Sequence, residues 1–208
     1  MATVYVVDDD ESVRRLIERL VQSVGLGCRA FESAEAFLSN YDPNEPGCLL
    51  LDVRLEGMSG LELQERLAEQ GRLIPIIVLT GYPDLSTAVR AMRAKAVDVL
   101  EKPFDHQVLL ERIHAAIEQD VRTRSRESRR NHILDCFQTL RSRERRVFKL
   151  VVAGMPNKRI AAQFNRSEKT IECQRGSVMR KMGASSLAEL VRMAIEAGLT
   201  EGDELEQG

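Results

Sequence analysis

Long apolar runs are missing from this chain, and so are closely paired cysteines and internal repeats. No uninterrupted hydrophobic stretch approaches the ~18 residues of a membrane span. Three aspartates at positions 8–10 close the first apolar run early, so a secretory leader is not expected either. The four cysteines, Cys28, Cys48, Cys136 and Cys173, stand far apart, which argues against a zinc site or a disulfide scaffold. A reduced, cytoplasmic setting without membrane contact is the expectation. What the chain does have is ordinary globular composition. Its 208 residues are 43% hydrophobic and 30% charged, enough for one or two domains with real cores.

The net charge of −2 conceals a division. Residues 1–119 hold 12 Lys+Arg against 20 Asp+Glu, a net of −8; residues 120–208 hold 18 against 12, a net of +6. Within the second part, residues 141–200 carry 13 basic and 5 acidic side chains, and the tail EGDELEQG adds −4. Opposite signs suggest a cation as ligand of the first half and a polyanion for the second, although unevenly scattered surface charge would look the same. The apolar pattern divides at the same place. It is helical through Ile117 and Val121, lapses along Arg122, Arg124, Arg126, Arg129 and Arg130, and resumes at Ile133. The expected organisation is a first domain over 1–118, an exposed, partly helical, arginine-rich linker over 119–138, a second domain over 139–200 and an acidic tail over 201–208.

The acidic half alternates strand and helix patterns. Val4–Val7 is a β-branched run ending in aspartates, and Ser12–Val24 shows apolar residues at a helical spacing closed by Gly25. Further strands are expected at 28–31, 49–53, 76–79 and 97–100. The intervening helices open at Ser33, Ser59, Asp84 or Ser86, and Asp105. Five strands alternating with five helices imply a doubly wound five-stranded parallel sheet with right-handed crossovers. In such sheets reactive groups gather at the carboxyl ends of the strands. Those ends carry Asp8, Asp9, Asp52, Thr80 and Lys102. Each alone has a bland explanation, as a turn, a cap or a surface lysine; together at strand ends they form a set. Three converging carboxylates repel one another, and a hard divalent cation relieves that. Mg2+ suits them, since it prefers oxygen and keeps positions open for phosphate. Asp52, from the middle strand, is then the candidate nucleophile for an aspartyl phosphate, with Thr80 donating to the phosphoryl group and Lys102 pairing its charge.

The basic half is helical. Ser142 is expected to cap a helix through Ala153, Gly154-Met155-Pro156 breaks it, and a short helix spans Asn157–Phe164. Ser167 then caps a longer helix to Met182, and a fourth runs over 186–197. Two helices joined by a turn, the second bearing Lys169, Gln174, Arg175, Arg180 and Lys181, suggest a helix-turn-helix that neutralises DNA phosphates. Thr170, Glu172, Cys173 and Gly176 are small or polar enough to approach base edges. A four-helix module docking a protein partner through a solvated basic face would share the charge pattern.

These motifs resemble known families. VVDDD, LLLDVRLEGMSGLEL, IIVLTGY and VDVLEKPF, within residues 3–119, are similar to a two-component (CheY-like) receiver domain. The resemblance implies an acid pocket of Asp8 and Asp9, Asp52 as phosphoacceptor, and Mg2+ held by Asp9, Asp52 and the Arg54 carbonyl beside Asp8. It also implies a cis Lys102–Pro103 bond. Receivers often carry an aromatic residue three positions before the lysine; here Val99 stands there, with Tyr82 as a candidate substitute. TLRSRERRVFKLVVAG, NKRIAAQF and SEKTIECQRGSVMRKMGASSLAELV, within residues 139–200, resemble a LuxR-type DNA-binding domain, all-α with four helices. On that match Glu172, Cys173 and Gly176 face bases, and Lys169, Thr170, Arg175 and Arg180 hold the DNA backbone. Pro156 stands where a capping serine is common.

Together the resemblances identify the FixJ/NarL group of response regulators. They imply a sensor histidine kinase as donor, a phosphorylation-driven homodimer, double-stranded DNA and RNA polymerase as partners, and a transcription factor, an activator in preference to a repressor, and not an enzyme. Two other readings share features: a phosphorylation-independent regulator with a degenerate receiver, prompted by Val99, and a phosphoaspartate-type phosphohydrolase. The latter needs a second acid where this chain has Arg54.

Overall fold

The computed structural model describes residues 2–71, 74–81 and 85–200. The chain divides into two compact units, residues 1–124 and 125–208. In the first, five strands and five helices alternate. They are β1 (Thr3–Val7), α1 (Glu11–Ser23), β2 (Gly27–Phe31), α2 (Ala34–Asn40), β3 (Gly47–Asp52), α3 (Gly60–Glu69), β4 (Ile76–Thr80), α4 (Leu85–Arg93), β5 (Asp98–Glu101) and α5 (His106–Gln138). All strand pairs are parallel, in the order β2-β1-β3-β4-β5. The order reverses between β1 and β3, which opens a crevice at their carboxyl ends.

Alternation along each strand builds two cores. Tyr5, Val7, Leu49, Leu51, Ile76 and Val78 point to one face, against Phe37 of α2 and Leu63 and Leu67 of α3. Val4, Val6, Leu50, Ile77 and Leu79 point to the other, against Ile17 and Val21 of α1 and Leu109 and Ile113 of α5. Burial on both faces explains the continuous apolar strands. The second unit packs α6 (Ser142–Val152), α7 (Asn157–Phe164), α8 (Glu168–Met182) and α9 (Leu187–Ala197) around Val147, Phe148, Ile160, Ile171, Val178 and Leu190, with Ile133 from the end of α5.

Three local expectations change. Helix α5 runs without interruption through the arginine-rich stretch, because no glycine or proline falls between Pro103 and Gly154 and Arg122 and Arg124 pair with Glu118 and Asp120 one turn earlier. The start of that stretch is also not exposed linker. Asp120 is buried, and its carboxylate accepts from the Gly47 N–H at 2.9 Å and from Arg124 Nε at 2.7 Å. Ser142 is the first residue of α6 and not its cap; the Glu144 carboxylate accepts from the Arg141 N–H at 2.8 Å instead. Tyr82, Asp84 and the acidic tail 201–208 lie outside the described residues.

One glycine ties α3 to the site. Gly60, the first residue of α3, has its N–H on the Val53 carbonyl at 3.1 Å, and a Cβ there would lie 1.9 Å from the Asp52 carbonyl oxygen. Backbone cannot yield as a flexible side chain would. Gly60→Ala is therefore expected to destabilise the first unit by about 1–3 kcal/mol. Its denaturant midpoint should fall while the transition of the second unit stays where it was.

Candidate functional site

The carboxyl ends of four strands deliver the polar set to one crevice. Asp8 follows the last residue of β1, and its N–H bonds the Phe31 carbonyl at 3.2 Å. Asp52 ends β3 and Thr80 ends β4, both buried. Lys102 follows β5, with its N–H on the Thr80 carbonyl at 2.7 Å and a cis bond to Pro103. From there the Lys102 ammonium reaches across the sheet. Nζ lies 2.6 Å from Asp8 Oδ2 and 3.0 Å from Asp52 Oδ2. The other oxygen of Asp8 accepts from the Asp10 N–H at 3.0 Å, and Arg14 Nη1 donates to the Asp8 carbonyl at 2.7 Å. Asp10 itself caps α1, accepting from the Ser12 N–H.

Asp8, Asp9 and Asp52 each offer a carboxylate oxygen within 4.8 Å of the others. They form an acidic cluster able to coordinate a divalent cation. The donor set fits such an ion: three hard oxygens, one of them on exposed Asp9, and a charge of −3 that Lys102 reduces to −2. Arg54 sits in the β3–α3 connection, exposed, two residues beyond Asp52. Val99 pairs with Val78 in the sheet and packs, half-buried, against the α2–α3 side of the core.

Burial pushes the Asp8 carboxyl above the 3.8 of a free aspartate, and the Lys102 hydrogen bond offsets only part of that. Burial works against the Lys102 ammonium too, yet its bonds to Asp8 and Asp52 hold its pKa above the ordinary lysine value.

The expected nucleic-acid residues all lie on α8. Ser167 caps the helix, accepting from the Thr170 N–H at 3.2 Å, and its hydroxyl also bonds the Thr170 hydroxyl at 2.8 Å. Lys169, Glu172, Cys173, Gly176 and Arg180 are exposed; Thr170, Gln174, Arg175 and Lys181 are half-buried. Two of the cations have protein partners. Arg175 Nη1 donates to Asn157 Oδ1 at 3.2 Å, at the start of α7, where Pro156 supplies no side-chain cap. Lys181 Nζ lies 2.6 Å from Glu144 Oε2, and Ser177 Oγ donates to Glu144 Oε1 at 2.8 Å. Those bonds and the Arg141 N–H hold the Glu144 carboxyl down at about 2, the Lys181 bond contributing most. Sequence reasoning missed Glu144 because its capping partner is an arginine, not the serine or threonine that marks a capping box.

Comparison with known proteins identifies the family. The response regulator receiver domain matches residues 4–114, and the luxR family of bacterial regulatory proteins matches residues 138–194. The chain belongs to the FixJ/NarL family of two-component response regulators. It is 45% identical over 199 residues to nodulation protein W of Bradyrhizobium diazoefficiens, covering 96% of this chain and 88% of that protein. It is 43% identical to the transcriptional regulatory protein FixJ of Rhizobium meliloti, covering 94% and 96%. The solved structure of the response regulator StyR superposes with a TM-score of 0.86 at 38% identity, covering 94% of this chain and 98% of that one. A receiver joined to a LuxR-type helix-turn-helix makes this response regulator a phosphorylation-controlled, DNA-binding transcriptional regulator and not a classical enzyme. Among the described residues no helix is long and apolar enough to cross a membrane.

The sign of the Asp8 shift yields a test. A carboxyl whose folded pKa is raised contributes stability that is complete below pH 3.8 and is lost as pH rises through the folded value. Asp8→Asn should therefore make the first unit more stable than wild type at pH 7. Denaturant titrations should show that advantage shrinking as pH falls towards 3.8, because Asp52 still holds Lys102.

Proposed function

We propose that Asp52 accepts a phosphoryl group from the phosphohistidine of a sensor kinase, and that the resulting aspartyl phosphate raises DNA affinity through the second unit. The observation that carries this is the sharing of Lys102 between Asp8 and Asp52. The ammonium occupies one Asp52 oxygen and leaves Oδ1 to form the bond to phosphorus as the P–N bond of phosphohistidine breaks and the imidazole departs. Lys102 and the Thr80 hydroxyl then meet the phosphoryl oxygens. Asp8, Asp9 and Asp52, with the Arg54 carbonyl, would hold Mg2+, which when bound would supply positive charge to the phosphoryl oxygens.

Drawing Thr80 and Lys102 towards the new charge reshapes the end of β4 and the start of the chain after β5. The neighbouring α4 surface exposes Val89 and Met92, apolar side chains suited to self-association in the phosphorylated state. A homodimer presents two α8 helices to half-sites about 34–36 Å apart on double-stranded DNA. At a promoter, an activator of this kind meets RNA polymerase.

Glu172, Cys173 and Gly176 serve as the base-facing positions of α8, with Lys169 and Arg180 for phosphates. Gly176 supports this. A Cβ there would meet nothing within 4 Å, so the protein has no packing need for glycine, and mid-helix glycine costs about 1 kcal/mol against alanine. The small residue is explained by what approaches from outside.

Two outcomes are expected. Treating the chain with a small acyl phosphate and Mg2+ should attach one phosphoryl group, absent in Asp52→Asn, and raise DNA affinity. No label, or full affinity without one, favours the phosphorylation-independent regulator that Val99 prompts; continuous phosphate release favours a hydrolase. Gly176→Ala should stabilise the second unit by about 0.5–1 kcal/mol while weakening its complex with specific DNA, read by thermal melting and by anisotropy.

A further inference from the structure

We propose that Glu144 and Lys181 brace the α8 helix against rotation about its own axis, and that Lys181 is a positioning residue for base reading instead of a phosphate contact. The proposal rests on the DNA-binding role given to α8 above.

Three bonds converge on one carboxylate. Glu144, on the first turn of α6, accepts from the Arg141 N–H at 2.8 Å, from Ser177 Oγ at 2.8 Å and from Lys181 Nζ at 2.6 Å. Lys181 also donates to the Thr139 carbonyl at 3.4 Å, between α5 and α6. Ser177 and Lys181 are one turn apart, so α6 grips α8 at two successive levels. At about 100° per residue, Lys169, Glu172, Cys173, Gly176 and Arg180 fall within one arc of about 100°. Ser177 and Lys181 lie on the flank, about 40° and about 80° beyond its edge, and Ile171, Val178 and Met182 on the opposite, buried side. The apolar side fixes the depth of the helix, but packing alone resists rolling weakly. A directional grip on the flank resists it.

Roll matters here because two of the three base-facing residues, Cys173 and Gly176, reach no further than a thiol. Cys173 has one rotatable bond and Gly176 none, so neither can correct a misplaced backbone by changing rotamer. With side-chain tips about 5–6 Å from the helix axis, a roll of about 10° displaces them by about 1 Å, enough to spoil a hydrogen bond. Drawing Lys181 away to a phosphate would strip Glu144 of its cation, and that carboxylate has 13% exposure. The positive charge is thus already committed inside the unit.

The test uses the full chain treated with a small acyl phosphate. It compares a duplex that the wild type selects from a randomised pool with a shuffled duplex of equal composition. In Lys181→Met the selected-to-shuffled affinity ratio should fall about tenfold, while the slope of log affinity against log salt stays at the wild-type value. Lys181→Arg should recover most of the ratio. Loss of folding alone would weaken both duplexes equally and leave the ratio intact. A slope smaller in magnitude by about 0.9 would make Lys181 a phosphate contact and overturn the proposal. So would an unchanged ratio. Should Lys181→Met not fold, Ser177→Ala removes one bond only, and a ratio about threefold lower at constant slope is expected; an unchanged ratio there also overturns the brace. A wild-type chain that selects no duplex sinks the DNA-binding reading and the brace with it, and that failure is visible before any substitution.

Discussion

One ammonium holds the receiver crevice together. Asp8, Asp9 and Asp52 arrive from two different strand ends as like charges, and without Lys102 between two of them the cluster would be an uncompensated patch of −3 in a partly buried cleft. Lys102 neutralises one unit and leaves two. A remaining charge of −2, on oxygens that face outward through Asp9, is the electrostatic complement of a divalent cation. The same contact sets the division of labour. Asp8, fully buried and pushed towards its neutral form, anchors the lysine; Asp52 meets the ammonium through Oδ2 alone.

The sheet exists, in functional terms, to aim these groups. Parallel strands place every carboxyl end on one side, and the reversal of order between β1 and β3 leaves that side open. Close backbone packing then fixes the details. Gly60 lets α3 sit against the Asp52 carbonyl, and Arg14 secures the turn that presents Asp8 and Asp9. In the second unit a comparable economy operates, where Glu144 both caps α6 and steadies the helix given the role of reading DNA.

The strand–helix alternation and the members of the acidic cluster were legible in the sequence because both are local. An apolar run ending in an acid reads as a buried strand with a polar tip, wherever the chain goes next. Ser33 and Ser59 as the caps of α2 and α3 belong to the same class. What could not be read depended on distant partners. Asp120 looked like the start of an exposed linker, yet Gly47, 73 positions earlier, donates to it. Lys181 reads in sequence as one of several cations on a basic helix, and its carboxylate partner lies 37 positions away. The unbroken course of α5 goes beyond the partly helical linker that the sequence suggests, for the opposite reason: the polar stretch lacks an apolar stripe, although nothing in it terminates a helix.

The central claim is a matter of charge balance, and a calorimetric titration of Mg2+ into the full chain measures it most directly. The account predicts one ion bound per chain, with affinity lost in Asp9→Asn and sharply weakened in Asp52→Asn, since each removes an oxygen anion from the cluster and leaves Lys102 in place. Absence of binding to the wild type, or isotherms for the two variants that overlay the wild-type curve, would contradict it.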